Sequence, residues 1–143
     1  MKKLALVFLA LLALTGLAQA QLPITFPAPQ GQPVAVTCSS TGTTGAITCT
    51  LAAVANKRTY ICGFVVSSGG TTGALVDTVT VAGTVGGTMS YRFVFVSAGQ
   101  GLLGVAYGPT CISSSAVNTA IVVSVPAGGT GTLVAANAWG FQN

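Results

Sequence analysis

Four cysteines, a single acidic residue, one tryptophan and no histidine are what this 143-residue chain offers to chemistry. The acidic residue is Asp77, so neither a carboxylate pair nor any histidine-dependent triad can be assembled. Serines are plentiful, yet a serine nucleophile needs a base. Beyond the first few residues Lys57 is the only lysine, and its neighbour Arg58 marks a solvated strand entrance rather than a catalytic dyad. One aspartate among scattered asparagines cannot cage a divalent ion, and the cysteines lack both Cys-x-x-Cys spacing and a histidine partner for zinc. The sequence therefore predicts a protein that is not an enzyme and carries no metal or cofactor. Shape and surface are its remaining tools.

Those tools are expected outside the cytoplasm. Met1-Lys2-Lys3, an apolar run from Leu4 to Leu14, and small residues ending in Ala18-Gln19-Ala20 have the layout of a signal peptide over residues 1–20. The apolar run is short for a membrane-spanning helix, so the mature chain is expected to begin at Gln21. About 123 residues then remain, enough for one domain with a core. Lys57, Arg58 and Arg92 stand against Asp77 in that part of the chain. This balance is too small and scattered for a nucleic-acid groove or a polybasic membrane patch.

Exported cysteines are expected as disulfides, and four of them allow three pairings. Cys38 with Cys49 and Cys62 with Cys111 is the favoured set. The first bridge is expected to close a local hairpin, the second to tie a central strand to a distant loop.

That central strand is Thr59–Ser67, the most strand-like stretch in the chain. Tyr60, Cys62, Phe64 and Val66 alternate with Ile61 and Val65, so both faces are apolar, as suits an interior position. Ahead of it, residues 21–33 contain Pro23, Pro27, Pro29 and Pro33 and are expected to form an extended arm. From Val34 onward short alternating runs are divided by glycine-rich turns. Met89, Tyr91, Phe93 and Phe95 share one face of the second-best strand, and Thr119–Val125 with Thr132–Phe141 suggests a hairpin about Pro126–Gly131. Asp77 shares a face with Leu75, Val79 and Val81 and is expected near a strand end, facing solvent or paired with Arg92 or Arg58. Eight or nine such strands over residues 34–143 predict an all-β domain, an antiparallel β-sandwich or jelly roll. A small outer-membrane barrel shares the alternation but needs longer strands.

Most aromatics alternate within strands and are expected in the core. Tyr107, beside a Gly-Pro turn, and Trp139, near the end of the chain, are the candidates for an exposed binding surface.

The runs Asn56–Phe64, Ser67-Ser68-Gly69, Val79-Thr80-Val81, Asn118–Val123 and Ala138-Trp139-Gly140-Phe141 resemble small β-sandwich proteins of tailed bacteriophages and proteobacteria. That resemblance, over residues 56–143, implies a virion-surface or decoration domain. The charge-poor surface, with no lysines to discourage edge pairing, points the same way: a self-associating structural or surface-interaction protein, on a virion or a cell surface. The alternative is a lectin-like module that holds a glycan with Tyr107 or Trp139.

Overall fold

The computed structural model describes residues 34–43, 45–70, 75–95 and 99–143, so the expected signal peptide and proline-rich arm lie outside the described residues. The strands are β1 (Val34–Gly42), β2 (Ile47–Leu51), β3 (Thr59–Gly69), β4 (Leu75–Thr84), β5 (Gly87–Phe95), β6 (Gln100–Ala106), β7 (Ile112–Ser113), β8 (Ile121–Val125) and β9 (Leu133–Gln142). A single 3-10 turn, Gly108–Thr110, separates β6 from β7.

Two antiparallel sheets result, one ordered β1-β9-β3-β6 with β7 also on β3, the other ordered β2-β8-β4-β5. The pairs β1–β9, β2–β8, β3–β6 and β4–β5 nest inside one another like a single long hairpin rolled over on itself. This is the jelly-roll arrangement, and its apex is the tight β4–β5 turn at Val85-Gly86.

The rolled topology corrects two expectations. Cys38 lies on β1 and Cys49 on β2, which belong to different sheets, so their bridge joins the two layers instead of closing a hairpin. Likewise β8 and β9 are not a hairpin: the chain crosses from one sheet to the other at Pro126–Gly131. Turn chemistry signals a reversal, but a reversal between layers uses the same residues as one within a sheet.

Alternation fills the interior. Ile47, Cys49 and Leu51 of β2, Ile121, Val123 and Val125 of β8, and Val79 and Val81 of β4 are buried, opposite Phe64 and Val66 of β3 and Val134, Ala136 and Ala138 of β9. Met89, Tyr91, Phe93 and Phe95 point inward from β5 as their spacing requires, with Ser90, Arg92 and Val94 outward. Each large aliphatic or aromatic side chain so buried contributes roughly 1.5–3 kcal/mol. The solid core and the five-residue strands β2 and β8 distinguish this sandwich from a membrane barrel. No helix among the described residues is long and apolar enough to cross a membrane.

In β3 the alternation breaks. Its pairing with β9 shifts between Ile61 and Gly63, a bulge that spends one extra residue, Cys62. Thr59 and Ile61 therefore face the core before the bulge, and Phe64, Val66 and Ser68 face it afterwards. Ile61 is fully buried, whereas Tyr60, expected beside Phe64, faces outward and stacks on Phe141 with ring centroids 4.6 Å apart. The bulge also hands the neighbouring position from β6 to β7, and Cys62 is bonded there to Cys111, just past the 3-10 turn.

Because the Cys38–Cys49 bridge closes a short loop at a sheet-to-sheet crossing, the paired Cys38→Ser/Cys49→Ser variant is expected to lose about 3 kcal/mol of stability. Urea denaturation of the variant against the oxidised protein measures this, and a loss below about 0.5 kcal/mol would show that the layers hold without the staple.

Candidate functional site: the outer face of the five-stranded sheet

The register of the sheet fixes which residues share its solvent face. Across β1, β9, β3 and β6 one row is Thr37, Trp139, Gly63 and Ala106; the next is Ser39, Asn137, Val65 and Gly104; the next is Thr41, Ala135, Ser67 and Leu102. Ala35, Phe141, Tyr60 and Ser113 form the row at one end, and Leu133, Gly69 and Gln100 the row at the other. These five rows carry no aspartate, glutamate, lysine or arginine; the nearest charge is Arg58, paired with Asn143 just beyond the Tyr60–Phe141 row. Their polar groups are hydroxyls and amides.

Two features stand out on it. At one end Leu102 and Leu133 are 75% and 53% exposed, either side of a shallow groove of about 280 Å³ floored by Ser67, Gly69 and Ala135. At the other end Trp139 rests on the sheet. A methyl group built on Gly63 would strike both Cζ2 and Cε2 of the indole, so the ring lies across the glycine backbone. Residue 63 must be glycine for the indole to lie so low. Along β9 the inward residues are Val134, Ala136, Ala138, Gly140 and Gln142, while Leu133, Trp139 and Phe141 project outward, so this strand puts its bulkiest side chains on the outer face. Gly140 is equally constrained, since a Cβ there would collide with the carbonyl oxygen of Tyr60.

Of the two aromatic candidates, then, only Trp139 is on this surface. Tyr107 points between the sheets, half-buried against the core, with its ring tilted against Phe64 and its hydroxyl 2.8 Å from that of Tyr91. The Tyr91 hydroxyl in turn donates to Met89 Sδ at 3.6 Å, which leaves Tyr107 as the donor to Tyr91. A Gly-Pro turn beside Tyr107 does not expose it, because its own backbone N–H is held by the Cys62 carbonyl at 2.9 Å. Trp139 and Tyr107 thus lie on opposite sides of one sheet and cannot form a common site. The residues that do join Trp139, namely Gly63, Tyr60 and Phe141, were not singled out by sequence. A glycine inside a strongly strand-like run was the available signal, as it marks a bulge or a close approach.

The charged groups sit beyond the end of this face or on the other sheet. Arg58 donates from Nη1 to the Ser114 carbonyl at 2.9 Å, and Lys57 accepts through its carbonyl from Asn118 N–H at 3.0 Å, so this basic pair anchors the entrance of β3. Asn56 and Asn118 take left-handed backbone there, each with φ of 61°. Asp77 is half-buried near the start of β4, where its carboxylate accepts from the Thr78 N–H at 2.7 Å. Arg92 is exposed on the other sheet. All four cysteines are consumed in two disulfides, Cys38–Cys49 and Cys62–Cys111, which removes them as metal ligands and fits an oxidising compartment.

Comparison with known protein families, with curated proteins and with solved structures finds no match.

Burial, then the hydrogen bond to Tyr91 and repulsion from the charge Tyr91 takes on when ionised, push the Tyr107 phenol well above the ordinary range near 10. A folded-state pKa above the unfolded one gives stability that is complete below the unfolded value and is lost as pH rises beyond it. The urea midpoint is accordingly expected to fall between about pH 9 and pH 11, and Tyr107→Phe to flatten that fall while costing about 1–2 kcal/mol at neutral pH through the orphaned Tyr91 hydroxyl. Identical alkaline slopes in the two proteins would show that the pair is not buried as described.

Proposed function

We propose that this is an exported, non-enzymatic structural or surface-interaction protein, which self-associates or coats a larger particle such as a phage virion or a cell surface. The observation that carries the reading is the outer face of the five-stranded sheet, whose rows from Tyr60–Phe141 to Leu133–Gln100 hold no charged side chain and which bears Leu102 and Leu133 exposed beside a groove. Isolated exposed leucines are common on soluble proteins. Two of them flanking one groove, with no charge to hold water or repel a partner, form the kind of patch that marks an interaction surface.

Edge geometry adds to it. β1 is a nine-residue edge strand without lysine, arginine or proline, so nothing in its composition opposes pairing with another chain. The opposite side of the sandwich is better closed, since Gly101 of β6 lies against the Val94 carbonyl and the Phe93 ring of β5. Residue inventory supports the absence of catalysis: Asp77 is the only acid and there is no histidine. The resemblance to small β-sandwich proteins of tailed phages and proteobacteria is compatible with a coat or surface role.

Light scattering on the purified disulfide-bonded protein is expected to show concentration-dependent assembly, or else retention on whole cells or virions. The Leu102→Lys/Leu133→Lys variant is expected to weaken either behaviour by roughly tenfold or more, because each lysine would have to be desolvated in the contact. A strict monomer at high concentration that binds neither cells nor particles would overturn the proposal.

A further inference from the structure

The geometry points to a second, separate use of the same face: Trp139 is the stacking platform of a binding site for a neutral sugar chain. This goes beyond the association reading, since it concerns the opposite end of β9, about 20 Å from Leu133 at the rise of an extended strand.

Three observations converge on a sugar. The first is the attitude of the ring. An indole that merely plugs a core is covered on all sides, whereas Trp139 lies with its six-membered ring close over Gly63 and is 38% exposed. Its row neighbours Thr37 and Ala106 are small, so no bulky side chain in its row stands over it. A flat aromatic surface backed by rigid backbone suits the apolar C–H face of a pyranose, at little cost in side-chain entropy because the ring is already held.

Polar groups around the ring supply the second observation. Asn137, two residues away on the same face of β9, is exposed, as are Thr37 and Ser39 on β1. An amide and two hydroxyls can each donate and accept, which matches the paired donor and acceptor character of sugar hydroxyls. On the far side of Trp139 the stacked Tyr60–Phe141 pair forms an aromatic wall at the end of the face.

Charge is the third. The rows around Trp139 bear no cation for a phosphate, sulfate or uronate and no carboxylate for an amine, and the nearest cation, Arg58 beyond the Tyr60–Phe141 row, donates from Nη1 to the Ser114 carbonyl. The partner that fits is therefore uncharged, hydroxylated and flat on one side, which describes a neutral hexose or N-acetylhexosamine polymer. A protein partner would find the leucine groove at the other end of the face, and the β1 edge beside Trp139 offers backbone pairing rather than a seat on the ring.

Trp139 is the only tryptophan, so intrinsic emission reports this site directly. Titrating the disulfide-bonded protein with gluco-, manno-, galacto- and chito-oligosaccharides is expected to shift that emission saturably with at least one series. Affinity electrophoresis through the corresponding neutral polysaccharide is expected to retard the protein, and retardation should fall roughly tenfold or more in Trp139→Ala and severalfold in Asn137→Ala. The Leu102→Lys/Leu133→Lys variant is expected to keep the sugar response, which separates failure of this site from failure of the association reading. Both ring-side variants alter exposed positions, and matching urea midpoints would confirm that they fold. The inference is overturned if no sugar series moves the emission, if Trp139→Ala is retarded like the parent, or if emission shifts with protein concentration alone, which would mean that a second copy covers the ring.

Discussion

One extra residue in the central strand governs much of this molecule. The bulge at Cys62 reverses the parity of β3, so the strand can bury Ile61 below it and Phe64 and Val66 above it. Without the reversal either Ile61 or Phe64 would face water, at a cost of roughly 1.5–3 kcal/mol for each large apolar side chain exposed. The same bulge turns Cys62 out of the ladder, where it meets Cys111, and brings Gly63 into the row of Trp139. Core filling, the second disulfide and the low seat of the indole are thus three consequences of a single backbone irregularity.

Rolling the nested hairpin imposes a second constraint. Each strand's nearest partner in the roll comes from the other arm of the hairpin, so most pairings are distant in sequence and loop closure is expensive. The disulfides act where that cost is felt. Cys38–Cys49 fixes the first crossing between layers, its cysteines 11 positions apart, and Cys62–Cys111 draws together segments separated by 49. At the edge of the roll Thr59 is held from both sides by Ser114, whose hydroxyl accepts from Thr59 N–H and whose own N–H donates to the Thr59 carbonyl at 2.7 Å. Local hydrogen bonds and covalent staples therefore share the work of holding a topology that simple turns do not specify.

Where the sequence was legible, a local period decided the answer. Met89, Tyr91, Phe93 and Phe95 could be assigned inward because β5 runs without a bulge, and the disulfide pairing could be favoured because Cys38 and Cys49 fall on the inner faces of their strands. It was opaque where the deciding contact is remote. Pro126–Gly131 signals a reversal, but whether β9 returns beside β8 or crosses to pair with β1 and β3 depends on residues nearly a hundred positions earlier. Tyr107 looked exposed because its turn is exposed, whereas its side chain is placed by Tyr91 across the core and by Phe64 on the adjacent strand. Trp139 was legible as a candidate surface, but its supporting residues were hidden by the parity change that assigned Tyr60 to the core.

The two outer faces of the sandwich are chemically unlike, and this bears on how the molecule meets its surroundings. On the four-stranded sheet Thr48, Ser124, Thr80 and Ser90 stand in register as a row of hydroxyls running across all its strands, with Arg92 one row away on β5 and the exposed pair Val76 and Val94 in the row beyond. Threonine and serine pair favourably across strands and keep their hydroxyls available to water, so this face is hydrated without needing charge. The five-stranded sheet places leucines, tryptophan and the Tyr60–Phe141 stack in the equivalent positions. A protein so short of ionisable groups gains little orientation from long-range fields. Under the proposed surface role, any orientation would have to rest on the difference in wetting between the leucine- and aromatic-bearing side and the hydroxyl row of the other.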